Sequence, residues 1–445
     1  MRTLLLLTKL ALIVCLAGVL AGCPKKQEIR PSEPPVKSDY TRPLPPGALA
    51  LRKITDPAQI PDFTPACANL AGLKLAVENS LEYMAKPSSQ RYFPYGQITH
   101  EQVVASLKAF GELIDQSLPP AQMNAAIREQ FDTYISVGWD YKGTVLFTAY
   151  YTPIFNASLV KTGKFTYPLY KQPPKLKKDA EGNILGLETA GGMVLPPSQA
   201  EIEAGRAPPE MDLTPLAWLS DPFEVYIAHV QGSAQLRLPD GNMMTVGYAA
   251  TNGHPYRSVA MELVKDGKIP KESLSLQAMI DYFKMHPEQV AQYVSRNPRY
   301  VFFDITDGGP RGSLNEPVTA WRTIATDKTI YPRASVAMVA ANKLPRPSFR
   351  GIEELPYKGF ACDQDTGSAI RAAGRCDIYV GVGDQAGQLA GRTMQEGKLY
   401  YLFLKPSLMP KPVIQVAPTG ERAAKVKEAL PAPPPKPPEP PAKPS

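Results

Sequence analysis

Histidine and cysteine are scarce in this chain, four and five among 445 residues. The histidines (His100, His229, His254, His286) form no HxxxH pair, and no two cysteines have zinc-knuckle spacing. The sequence therefore offers no metal site and asks for no cofactor. It also lacks a basic helix and any strand alternating aromatic and basic residues, which removes nucleic acid from the partners expected of it. The net charge of +7 draws partly on the two ends of the chain and favours acidic partners only weakly.

What is present begins with an address. Met1-Arg2-Thr3 and Lys9 precede an apolar run, Leu10 to Ala21, too short to span a bilayer comfortably. It ends in Leu20-Ala21-Gly22-Cys23, which resembles the lipobox of bacterial lipoproteins. That resemblance implies a signal peptide over 1–22 and a lipid on Cys23. A lipid chain adds roughly 0.8 kcal/mol per buried methylene to membrane binding. Pro24, where an aspartate is absent, resembles lipoproteins sent to the outer membrane, so the expected location is its periplasmic face. Residues 23–61, rich in proline and charge, read as a tether. The segment 407–445 ends in ALPAPPPKPPEPPAKPS, a polyproline-like tail that serves as a spacer or as a ligand for other cell-wall proteins.

The body between these ends suffices for two domains or one elaborated domain. Its first part is helical. Leu73, Leu75, Ala76, Leu81 and Met84 recur at helical spacing within 70–86. Thr99-His100-Glu101-Gln102 predicts a capping box ahead of Val103, Val104, Leu107, Phe110 and Leu113. A third helix is expected from 120 to about 135. From Gly143 the residues turn β-branched and aromatic. Strands are predicted over 144–151, 165–170, 224–230, 234–238, 243–249, 300–303, 336–341, 377–382 and 399–404, with a hairpin at Asp240-Gly241. One more helix is expected over 276–295. A helix-led, mostly β chain argues against a parallel βαβ fold.

Carboxylates, glycines and small residues concentrate between Asp363 and Gly387. Asp377 stands inside the apolar run Cys376-Asp377-Ile378-Tyr379-Val380, where desolvation raises a carboxyl pKa and lets the acid donate a proton. Residue types alone leave a second reading open: Asp-Thr-Gly and Gly-Asp-Gln are also good turn sequences.

Gln364-Asp365-Thr366-Gly367, Asp377-Ile378-Tyr379 and Gly383-Asp384-Gln385-Ala386-Gly387 resemble the 3D domain, named for three aspartates. Further stretches resemble the membrane-bound lytic murein transglycosylase A family, in family order: Leu146 to Pro153, His229 to Ser233, Gly247-Tyr248-Ala249, Asn252 to Tyr256, Asn297 to Phe303, and Arg322 to Asp327. The resemblance implies a fold that is mostly β with N-terminal helices. It implies a double-psi β-barrel domain built from 62–154 and 300–406, a smaller β domain inserted over 155–299, and a glycan-holding groove between them. It implies cleavage of the MurNAc–GlcNAc bond of peptidoglycan with formation of 1,6-anhydro-MurNAc ends, for cell-wall turnover. Asp377 maps onto the catalytic acid, and Asp365 and Asp384 onto assisting aspartates. Tyr150, Tyr151, Thr152, Gln231, Gly232 and Ser233 become candidate sugar contacts, with core packing an equal reading for the two tyrosines. Pro332-Arg333-Ala334 departs from the family, which has glycine at the third position.

Two rival functions remain. An inverting hydrolase on the same barrel needs a second carboxylate about 6.5–9.5 Å from the first, with a water between. A non-catalytic wall-binding lipoprotein would keep the groove without the chemistry. Removing Cys15 with the signal and Cys23 with the lipid leaves Cys67, Cys362 and Cys376, of which Cys362 and Cys376 are the expected disulfide pair.

Overall fold

A computed structural model of the chain describes residues 38–179 and 182–410. The expected lipid site Cys23, the signal segment and the proline-rich tail lie outside the described residues.

Six strands close into a barrel. In order around it are Met394–Leu404, Val336–Ser348, Gly351–Asp365, Thr323–Ala325, Arg375–Val382 and Val145–Thr152, and the last pairs back onto the first. The strand Met394–Leu404 makes closure possible by dividing one of its edges. Its residues 394–397 pair with 145–148, while its residues 400–404 pair with the outlying strand Phe131–Ser136. Closure pairs each of the six strands with a neighbour on both sides along part of its length.

The helices Leu73–Ala85, His100–Asp115 and Pro120–Gln130 share one hydrophobic core with the barrel. Leu73, Ala76, Met84, Val103, Leu107, Phe110 and Leu113 are buried in it as their spacing predicts, whereas Leu75 faces outward. Arg322 ties the layers together, donating from Nε to the Ala71 carbonyl (2.9 Å) and from Nη1 to the Phe360 carbonyl (3.0 Å). Gln364 does the same from inside, donating to the Ala76 carbonyl at 2.7 Å.

A second six-stranded sheet is built from residues that fall between the barrel strands Val145–Thr152 and Thr323–Ala325. Its order is Val301–Ile305, Met243–Thr251, Ser233–Arg237, Ile154–Ser158, Pro215–Leu219 and Tyr167–Tyr170, and it carries its own apolar cluster. The expected hairpin is there, with Ser233–Arg237 antiparallel to Met243–Thr251. A three-stranded sheet, Leu176–Lys178, Ile184–Thr189 and Gly192–Val194, stands beside it.

Several local expectations need correction. Residues 224–230 form not a strand but the helix Pro222–Gln231. Asp221 caps it, accepting from the Phe223 N–H, Pro222 occupies its first turn, and Gly232 ends it at φ 72°. These end signals outweigh the β-branched composition between them. The helix expected over 276–295 stops at Met285, because Pro287 interrupts it before Val290–Val294. The third helix stops at Gln130, and Phe131–Ser136 turns into a strand. Thr99 caps its helix as expected, accepting from the Gln102 N–H at 3.1 Å, but the Gln102 side chain reaches the Leu404 carbonyl (2.8 Å) instead of folding back.

Cys67, Cys362 and Cys376 are all free and buried, so the expected Cys362–Cys376 bridge is absent. The strands carrying Cys362 and Cys376 are separated by Thr323–Ala325. Two strand spacings exceed the roughly 7 Å Cα separation that a disulfide spans. Ala334 adopts φ +60°, a left-handed conformation that favours glycine, and its N–H donates to the Asp363 carbonyl at 2.9 Å.

Gly397 sits where the barrel closes. A Cβ there would lie 2.3 Å from the Ala340 carbonyl oxygen and 2.9 Å from the Phe147 ring. Gly397→Ala is expected to cost about 1–3 kcal/mol by overpacking and to lower the thermal unfolding midpoint. Gly163→Ala, with nothing within 4 Å of the added methyl, should leave the midpoint in place.

Candidate active site

Alternate residues of a strand face opposite sides of the sheet. On Val145–Thr152, Val145, Phe147 and Tyr151 enter the barrel core, and Thr148 and Tyr150 are left half-buried on the other face. On Arg375–Val382, Cys376, Ile378 and Val380 enter the core, while Arg375 and Asp377 are half-buried on the outer face. The two strands run parallel, with Asp377 opposite Thr148 and Tyr379 opposite Tyr150. Ala325 pairs with Asp377 on one side and Asp365 on the other, so the two aspartates flank one small residue.

Asp377 has one hydrogen-bond partner among the described residues: the Thr148 hydroxyl donates to its Oδ1. Burial raises its pKa to about 6; the Arg375 guanidinium opposes the shift and the Asp365 carboxylate adds to it. Asp365 is held differently. Its Oδ2 accepts from the Tyr150 hydroxyl (2.7 Å), and its Oδ1 accepts from the Ser313 and Thr366 N–H groups (2.8 Å each). Burial still leaves its pKa above the ordinary carboxylate value. Asp384 is exposed in the first turn of the helix Gly383–Arg392, which forms where the sequence also allowed a turn. Burial pushes the Tyr151 phenol up to about 12, and the Asp384 carboxylate adds to that shift.

The structure separates the other expected residues. Tyr150 is half-buried, its ring tilted 49° against that of Tyr379 at 5.2 Å, and it reaches Asp365. Tyr151 is buried, and a Cβ on Gly387 would stand 3.0 Å from its ring, so Gly387 makes room for it. Thr152 is also buried, with its hydroxyl 3.0 Å from the Tyr379 hydroxyl and 3.2 Å from that of Ser233. The Gln231 Oε1 accepts from the Tyr151 N–H at 3.1 Å. Gln231, Gly232 and Ser233 thus stand where the helix Pro222–Gln231 meets the barrel strand.

Sequence reading overlooked Thr148, Arg375 and Tyr379. Strand parity around Asp377 was the available signal, since Thr148 and Tyr150 share a face. It also overlooked a second buried carboxylate. Asp363 pairs with Lys328 and accepts from the Thr326 and Tyr401 hydroxyls, both at 2.7 Å. All these partners are buried, and burial pushes the Lys328 pKa down. Asp363 is fully enclosed and can reach no substrate. No cluster of His, Cys, Asp or Glu able to hold a metal occurs among the described residues.

The MltA specific insert domain family matches residues 146–304, and the 3D domain family matches residues 322–403. The membrane-bound lytic murein transglycosylase A of Escherichia coli K12 is 32% identical over 279 residues, which span 62% of this chain and 70% of that protein. The Vibrio cholerae protein of the same name is 28% identical over 61% of this chain and 68% of its own length. Among solved structures, the membrane-bound lytic murein transglycosylase from Agrobacterium tumefaciens superposes with a TM-score of 0.67 at 25% identity, covering 80% of this chain and 98% of that one. E. coli MltA with bound chitohexaose superposes with a TM-score of 0.59 at 24% identity, covering 82% and 96%.

An ionised Asp377 is a burden on the folded state. Its folded pKa lies above the unfolded value, so stability falls as pH rises from about 4 through about 6. Asp377→Asn should therefore unfold at a higher temperature than the parent above pH 6, and the two melting curves should converge below pH 4.

Proposed function

Because the chain belongs to the membrane-bound lytic murein transglycosylase A family, we propose that Asp377 is the general acid with which it cleaves peptidoglycan. The chain is an enzyme, a lytic transglycosylase acting on the glycan strands of murein. The observation that carries the assignment of the acid is a half-buried carboxyl on the barrel's outer wall, with a pKa near 6 and one oxygen free of protein partners among the described residues.

A pKa near 6 keeps a useful fraction of Asp377 protonated close to neutrality. The acid gives its proton to the oxygen of the MurNAc–GlcNAc bond, which leaves as the GlcNAc C4 hydroxyl. The resulting carboxylate takes the proton from the muramic C6 hydroxyl as that oxygen bonds to C1. Atoms and protons balance without water, and the product ends in 1,6-anhydro-MurNAc. The nucleophile is already part of the substrate, so positioning substitutes for a second catalytic carboxylate.

The hydrogen bonding of Asp365 supports this over the inverting hydrolase. Both its oxygens are occupied by donors, which suits an anchor for Tyr150 and a charge near the acid better than a base for water. Asp384, exposed in the first turn of the helix Gly383–Arg392, is assigned to substrate orientation. Tyr150, Gln231 and Gly232, which keep some exposure, are assigned to the sugar. Tyr151, Thr152 and Ser233 hold the joint behind them. In this reading the barrel is a double-psi barrel, residues 155–299 form the opposite wall of a glycan groove, and Cys23 carries the lipid that tethers the enzyme to the periplasmic face of the outer membrane.

Digestion of purified murein sacculi tests the acid. Asp377→Asn should lower release of anhydromuropeptides by ~10²–10⁴-fold while sedimentation with sacculi persists. Asp365→Asn and Asp384→Asn should lose less. The parent rate should fall as pH climbs above about 6, because the protonated form is the competent one. Release of reducing ends would instead indicate a hydrolase, and near-normal activity of Asp377→Asn would transfer the acid's role elsewhere.

The anchor is tested separately. Cys23→Ser should move the protein from the membrane to the soluble fraction with its activity on sacculi intact, and unchanged fractionation would remove the lipid.

A further inference from the structure

The acid does not stand alone on its strand. Arg375, two residues earlier, sends its guanidinium to the neighbouring strand, where Nη2 donates to Thr148 Oγ1 at 3.1 Å. The Thr148 hydroxyl in turn donates to Asp377 Oδ1. The strand register sets this up. Asp377 stands opposite Thr148 and Arg375 opposite Leu146, so the arginine reaches its target obliquely from the same outer face.

A threonine hydroxyl has one proton and two lone pairs. With the guanidinium, a donor that accepts nothing, directed at Oγ1, that single proton is turned away from Arg375 and toward the carboxyl. Oδ1 then serves as an acceptor in both protonation states of Asp377. The transferable proton is left on Oδ2, which has no protein partner among the described residues.

We propose that Arg375 and Thr148 act as a positioning pair that fixes which oxygen of Asp377 carries the transferable proton, and so aims the acid at the glycosidic oxygen. The proposal rests on the reading of Asp377 as the general acid. Neither residue need touch the reacting atoms; they act through the acid.

The arrangement explains an otherwise costly feature. Arg375 is half-buried, and its Nε is enclosed without a partner among the described residues. A desolvated cation with an unmet donor is unfavourable by itself. Beside Asp377 it has a use, since its charge stabilises the carboxylate left after proton transfer. The charged groups near Asp377 are Arg375 on its own strand and Asp365 on the strand Gly351–Asp365, acting in opposite directions. The strand Val145–Thr152 contributes the neutral Thr148 and Tyr150.

The experiment measures kcat, KM and the pH profile on sacculi for five forms: parent, Thr148→Val, Thr148→Ser, Arg375→Gln and Asp377→Asn. Thr148→Val keeps the shape but removes the donor, and is expected to lower kcat about tenfold or more, within the range of general acid catalysis, with KM nearly unchanged. Thr148→Ser restores the hydroxyl and should recover most of the rate. Arg375→Gln removes the charge opposing protonation, so its alkaline limb should move to higher pH while its maximal rate falls. Melting temperatures and sedimentation with sacculi confirm that each form is folded and binds glycan. A Thr148→Val enzyme with parental kcat and pH profile, beside an inactive Asp377→Asn, would overturn the positioning pair and leave the acid in place. Failure of serine to restore what valine loses would also overturn it, since the loss would then come from packing. An active Asp377→Asn would remove both.

Discussion

The parallel pairing of Val145–Thr152 with Arg375–Val382 is the constraint on which the site depends. Parallel neighbours need a crossover connection, and here the crossover contains the whole second sheet. A slip of one residue would exchange the two faces of the Thr148 strand. Phe147 and Ala149 would then line the site, and Thr148 and Tyr150 would enter the core. The apolar cluster that takes Val145, Phe147 and Tyr151 on one strand and Cys376, Ile378 and Val380 on the other therefore specifies the chemistry on the opposite face. Barrel closure at Gly397 serves the same end, because pairing of 394–397 with 145–148 pins the second edge of the Thr148 strand.

Around this wall the polar groups fall into two kinds. Asp363, Lys328, Thr326 and Tyr401 satisfy one another away from solvent, and such a network specifies one arrangement of the strands it joins. Breaking one member of a buried pair typically costs ~3–5 kcal/mol, so these groups are held to structure and are not available for turnover. Asp377, Asp365 and Tyr150 retain contact with the surface. The junction between barrel and second sheet uses a third device, side-chain hydrogen bonds through Gln231, Ser233, Thr152 and Tyr379. The apolar clusters on either side of that junction stay distinct, although Leu276 packs against both.

Much of this was legible in the sequence where local rules and burial agree. The helix faces around Leu73 and Phe110, the hairpin at Asp240-Gly241 and the strand carrying Asp377 are examples. The misreadings came where composition opposed end signals. Val225, Ile227 and Val230 suggested a strand, yet Asp221, Pro222 and Gly232 enclose a helix. The long strand Gly351–Asp365 went unread, because its first part is polar and its partner Val336–Ser348 extends well past the apolar stretch that announced it. The three aspartates were visible through a family resemblance and the raised pKa of Asp377 through its apolar flanks. The proposed roles of Thr148 and Arg375 were not visible, since Thr148 lies 229 residues from Asp377 and only the strand register brings it beside Arg375.

With Asp377 as the proposed acid, the balance of groups around it gives a reason why a single carboxyl would suffice and why it needs company. Burial alone would favour the neutral acid, which donates well but yields a carboxylate that is poorly solvated after transfer. Asp365 pushes the same way as burial, while Arg375 pushes back. The outcome, a pKa near 6, lies close enough to neutral pH for both protonation states to be populated, and the proposed reaction uses both in turn. Thr148 adds direction to this balance by occupying one oxygen in either state. Charge thus sets how readily the proton leaves, and the hydroxyl sets where it points; the strand register places both within reach of one side chain.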